Sequence, residues 1–88
     1  LIGLDNFFTG WDGAARLSAP GCTVTVAATG DFAAGVQVYA PAAQPLLCVE
    51  PVSHMPDAPN RAALAAAAPM RLLAPGEALS GSIRLDTA

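Results

Sequence analysis

The sequence predicts an all-β chain, a piece of an antiparallel β-sandwich. Three observations carry this. Apolar and polar residues alternate with period two in several short runs. Proline- and glycine-containing turn signals separate those runs at short spacing, as in sandwich folds. A single stretch is rich in helix formers, and a proline ends it after two turns.

Taken in order, "CTVTV" alternates Cys22, Val24 and Val26 against Thr23 and Thr25. β-Branched residues in that alternation fit a half-buried strand. "GVQVYA" sets Val36 and Val38 on one face and Gln37 and Tyr39 on the other. "PLLCVE" is apolar on both faces and reads as a central strand. "ALSGSIRLD" opposes Leu79, Ile83 and Leu85 to Ser80, Ser82, Arg84 and Asp86, with Gly81 as a candidate bulge. The breakers are "APG" at 19–21, "TGD" at 29–31, "PAAQP" at 41–45 and "APGE" at 74–77. Pro75-Gly76 fits the two central positions of a type II turn, the second of which needs a positive φ. "RAALAAAA" at 61–68 is expected to be a loop with at most a short helix, which Asn60 would cap and Pro69 would stop.

The chain has 88 residues, enough for one small domain or a fragment of one, with no internal boundary. Apolar residues make up 53%, but many are alanine, so few large side chains must build the core. Four arginines, no lysine and seven acids give a net charge of −3. No basic patch is available for a phosphate backbone, which excludes nucleic acid as an expected partner. No apolar run reaches the roughly 18 residues of a membrane helix. No charged segment precedes an apolar run, so neither a signal peptide nor a membrane is expected, and a cytoplasmic location is. Cys22 and Cys48 lie in apolar runs and are expected to be buried free thiols. With no clustered Cys or His, no metal site is expected. The opening "LIGLD" lacks a methionine and reads as a cut into something larger.

Polar residues with room for a role are few: Asp5, Asn6, Trp11, Gln37, Tyr39, Glu50, His54, Asp57 and Asn60. Glu50 ends an apolar run in phase with Leu46 and Cys48. Desolvation there would raise its pKa towards neutrality and suit a general base; a solvated strand end is the plainer reading. Asp5 is placed to grip sugar hydroxyls or to cap a turn. Trp11 would stack on a sugar ring or cover the end of a sandwich. His54, four residues after Glu50, sits in a proline-bounded loop. Asp57 and Asn60 are residue types that fold loops onto backbone amides.

Four segments, "GLDNFFTGWDG" at 3–13, "VQVYAP" at 36–41, "LCVEPVSHMPDAPN" at 47–60 and "LAPGEALSGSIRL" at 73–85, run in an order that resembles the C-terminal part of the aldose 1-epimerase (galactose mutarotase) family. The glutamate with its downstream "PDAPN" is the most specific piece. The resemblance implies a part of the galactose mutarotase-like supersandwich. It implies an isomerase that interconverts the α and β anomers of a free aldohexose, such as galactose or glucose, without a cofactor. Glu50 matches the general base that takes the proton from the C1 hydroxyl, and Asp5 matches an aspartate that binds sugar hydroxyls.

The family's general acid is a histidine of an earlier segment. His54 does not match it, so little activity is expected of these residues alone. Gln44 does not match the sugar-binding glutamine of some members. Arg61 and Arg71 would serve a branch acting on hexose 6-phosphates. A non-catalytic carbohydrate-binding or structural β-domain is the alternative. Exposed sheet edges are expected to pair chains into a homo-oligomer.

Overall fold

A computed structural model describes residues 3–87, so Leu1 and Ile2 of the opening segment, and Ala88, lie outside the described residues. Six strands form: β1 Leu4–Phe8, β2 Ala14–Ala19, β3 Cys22–Gly30, β4 Gly35–Ala40, β5 Cys48–Val52 and β6 Gly81–Thr87. They build two antiparallel three-stranded sheets, ordered β1-β4-β5 and β2-β3-β6. Short 3-10 turns cover Asp31–Ala33, Ala58–Asn60 and Leu64–Ala67, and no α-helix occurs among the described residues. Among the described residues, no helix is long and apolar enough to cross a membrane.

The period-two runs at 22–26 and 36–39 become β3 and β4, and the run at 79–86 becomes β6 from Gly81 onwards, Leu79 and Ser80 lying ahead of the strand. β2 and β3 are joined by Pro20-Gly21, with Ala19 opposite Cys22 and Gly21 at φ +76°. Proline presets the first turn residue, and only glycine takes the second conformation cheaply. The same logic holds at Pro75-Gly76: Gly76 has φ +88°, and Glu77 N–H donates to the Ala74 carbonyl at 3.0 Å.

Three expectations about strands and thiols need correction. "PLLCVE" does not make a central strand. β5 begins at Cys48, runs along one edge of its sheet, and leaves Leu46 and Leu47 exposed ahead of it. Pro51 explains the placement, because a residue without an N–H is tolerated at an edge and not between two partners. Gly81 is no bulge: β6 pairs in unbroken register with β3 from Gly81 opposite Gly30 onwards. The glycine is needed because a side chain there would strike the Thr29 carbonyl oxygen and the Phe32 ring. The thiols are both free, but Cys22 is exposed and Cys48 only half-buried. Cys22 opens its strand beside the turn, where the sheet has no cover.

The 61–68 stretch contains only the 3-10 turn Leu64–Ala67. Asn60 does not cap it, because it closes the preceding turn at Ala58–Asn60. Leu64 points out, while Ala65 and Ala68 are buried.

Among the described residues the buried side chains are those of Val26, Val36 and five alanines, with no large one fully enclosed. Small side chains bring little area out of water, so this core stabilises weakly. The radius of gyration is 14.5 Å, against about 12 Å for a compact chain of this length. The Asp31–Ala33 turn touches β3, β5 and β6 and so contacts both sheets. Asp31 holds it in place: its Oδ2 accepts from Ser80 N–H at 2.8 Å and from Arg71 Nη1 at 3.4 Å. Trp11 Nε1 donates to the Ala33 carbonyl at 3.1 Å, so this indole covers the turn.

Candidate functional site

The register of the β1-β4-β5 sheet decides which side chains share a face. Asp5 lies opposite Tyr39, and Tyr39 opposite Cys48. One step along, Phe7 lies opposite Gln37, and Gln37 opposite Glu50. Side chains alternate along a strand, so residues two apart share a face. Asp5, Phe7, Gln37, Tyr39, Cys48 and Glu50 therefore occupy one face. Leu4, Phe8, Val36, Val38 and Ala40 occupy the other, where Val36 and Ala40 are buried.

The two residues singled out in the sequence, Asp5 and Glu50, thus come to one polar face from its two outer strands. Their Cα atoms are roughly 12 Å apart along the diagonal, given the usual strand spacing and rise. Gln37 stands between them on the central strand. Its Nε2 donates to Asp5 Oδ1 at 2.7 Å, and its Oε1 is buried without a hydrogen-bond partner. A buried acceptor left unpaired costs free energy, so such an atom marks a place where a donor is missing. Sequence reasoning named Gln37 as a candidate but gave it no role. Its signal was a polar residue on the inner strand of "GVQVYA", in phase with Tyr39.

Beside this face the chain folds back over Met55–Arg61. Asp5, Gln37 and Phe7 line one side of a depression of about 370 Å3, and Met55, Asp57 and Arg61 line the other. Asp57 adopts the left-handed conformation at φ 59° and organises the loop. Its Oδ1 accepts from Asn60 Nδ2 at 2.7 Å, and its Oδ2 from Arg61 Nε at 3.3 Å. The partners of Asp57 and Asn60 are therefore side chains, where backbone amides were expected. Carboxylate, amide and guanidinium groups beside one aromatic ring form a set that suits a polyhydroxylated ligand. A larger hollow of about 500 Å3 follows the Pro41–Leu47 loop, but Gln44 is the only polar side chain lining it, so the chemistry favours the smaller one.

Glu50, His54 and Arg71 do not line that smaller depression. Glu50 is exposed, so the desolvation inferred from its apolar run is absent: the leucines expected to surround it precede the strand and face water. His54 is half-buried, and its Nδ1 is 2.9 Å from Ser53 Oγ. No hydrogen bond links it to Glu50 among the described residues. Arg61 and Arg71 are each paired with an aspartate, Asp57 and Asp31. Among the described residues, no three His, Cys, Asp or Glu side chains are grouped to hold a metal ion. No family model matches the chain, and no curated protein or solved structure is significantly similar to it.

Proposed function

We propose that the polar face of the β1-β4-β5 sheet binds a free aldohexose, and that it is the base-bearing part of an aldose 1-epimerase-type site. One observation carries the reading. Asp5, Gln37 and Glu50 lie on three adjacent strands of one face, with Asp5 and Gln37 bonded and the buried Gln37 Oε1 left without a partner. Sugar hydroxyls donate to Asp5, which Gln37 Nε2 holds in place, and the Gln37 amide turns so that its Oε1 accepts a neighbouring hydroxyl. Glu50 accepts the C1 hydroxyl proton. The ring oxygen must be protonated for the C1–O5 bond to open; rotation about C1–C2 and reclosure then invert the anomer. His54 is not assigned that role: its Nδ1 is engaged with Ser53 Oγ, and no hydrogen bond joins it to Glu50 among the described residues. A missing general acid removes about 10^2 to 10^4 in rate, so binding outlasts catalysis in these 88 residues.

The exposure of Glu50 favours a second reading, in which the face binds carbohydrate without chemistry. The deciding experiment pairs two measurements. Amide shifts are followed while D-galactose and D-glucose are titrated in. Polarimetry follows the mutarotation of freshly dissolved α-D-glucose and α-D-galactose with the chain and with Glu50→Gln. Shifts centred on Asp5, Gln37 and Tyr39, with a small acceleration lost in Glu50→Gln, support the epimerase-type reading. Shifts without acceleration support the binding reading. No shifts at this face at saturating sugar refute both.

A further inference from the structure

The chain exposes 5974 Å2, whereas a compact monomer of its mass exposes about 4,800 Å2. The excess, about 1,200 Å2, is more than the roughly 800 Å2 that each partner contributes to a standard interface.

Part of that excess lies on one strand. β6 pairs only with β3 among the described residues, so its outer edge is open. Every residue of β6 is exposed. Ile83 and Leu85 share the face that carries Val24, Val26 and Ala28 of β3, yet they are 49% and 68% exposed. This is an apolar sheet face that runs out uncovered at its edge.

The four edges differ in what they would meet in a second copy. β5 carries Pro51, which removes one donor. β1 lies beside the Met55–Arg61 loop, with which it lines the depression. β2 carries Arg16 as its one charge, so a two-fold partner brings a like charge near it. β6 alone carries neighbouring charges of opposite sign on one face, Arg84 and Asp86, paired within the strand at 2.9 Å.

We infer that this chain forms a two-fold dimer through antiparallel pairing of β6 with β6 of a second copy, centred on Leu85. That register sets Leu85 against its own symmetry mate and Ile83 against Thr87. It sets Arg84 against Asp86 twice, once on each side of the axis. A two-fold interface must be self-complementary, and this register satisfies the condition in both charge and apolar contact. The joined sheet has six strands, and the Ile83–Leu85 face continues across the axis. The inference stands independently of the sugar-binding reading, since β6 contributes no residue to that face.

The test uses sedimentation equilibrium on the 88-residue chain and on two charge-reversal variants. The wild type is expected at twice the 8.8 kDa chain mass at micromolar concentration. Arg84→Glu leaves two acids at these positions and Asp86→Arg two bases, so each variant alone is expected to dimerise about tenfold more weakly, like charges now facing each other. Mixed in equal amounts, the two variants are expected to pair with each other at near wild-type strength. Loss of the in-strand pair alone cannot produce that rescue, because neither variant retains it. Far-UV circular dichroism confirms that both variants keep their sheets. A wild type that stays at one chain mass at high concentration overturns the inference. So do single variants that associate like the wild type, or a mixture that fails to pair.

Discussion

Gly35 offers a prediction whose sign depends on one neighbour. Its φ lies outside the left-handed region, so the backbone does not require glycine. Its surroundings do. A Cβ built there collides with Cζ of Phe7, comes within 2.7 Å of Phe7 Cε1 and within 3.1 Å of the Phe8 carbonyl oxygen. The Phe7 ring thus lies across the glycine, in the space a side chain would take. Gly35→Ala must push the ring away, at an overpacking cost of about 1–3 kcal/mol. The lower entropy of the unfolded alanine chain offsets about 0.4–1 kcal/mol of this. The net loss is about 1–2 kcal/mol, a fall in Tm of roughly 5–15 °C for a domain of this size. Leucine lacks the colliding ring atoms. In a Phe7→Leu background the same Gly35→Ala change is therefore expected to be neutral or to stabilise by about 0.5 kcal/mol. Urea unfolding of the four proteins closes the cycle. An equal loss from Gly35→Ala in both backgrounds would refute the reasoning and shift the cause to the Phe8 carbonyl. Since Phe7 also lines the depression, the displaced ring in Gly35→Ala should weaken hexose binding.

Gln37→Leu should separate stability from function. It removes a buried unpaired acceptor, so stability is expected to hold or rise by about 1 kcal/mol in urea, while hexose affinity by amide-shift titration falls about tenfold. Asp31→Ala strips the Ser80 amide and Arg71 of a shared acceptor and is expected to cost about 1–2 kcal/mol by the same unfolding assay. Cys22 should react with a thiol reagent well before Cys48 in the folded chain, and both at one rate in denaturant, as a two-phase absorbance trace would record.

How far the sequence can be read depends on what each element uses to hold itself. β3 and β4 announce themselves because β-branched residues alternate along them. β1 was missed as a strand: "LDNFF" places an aspartate and an asparagine side by side and two phenylalanines side by side, so no alternation shows. β2 was missed because its apolar phase rests on Ala15 and Leu17, a weak contrast with the alanines around them. The Pro20-Gly21 turn before "CTVTV" was the available clue to a hairpin. β5 is hard to place because apolar character alone does not tell a core strand from an exposed linker; the sequence clue to its edge position is Pro51. At the site, Asp5 and Glu50 were found singly, but their sharing a face depends on strand order and register, which involve residues 32 and 45 positions apart in the chain. The exposure of Glu50 was hidden for the same reason.

The Asp31–Ala33 turn touches both sheets and is secured by one carboxylate and one indole, so whatever loosens it is felt by both. The candidate sugar face is drawn entirely from β1, β4, β5 and the loop beside them. The spacing of Asp5, Gln37 and Glu50 is therefore set by strand register inside a single sheet and owes nothing to how the second sheet packs against it.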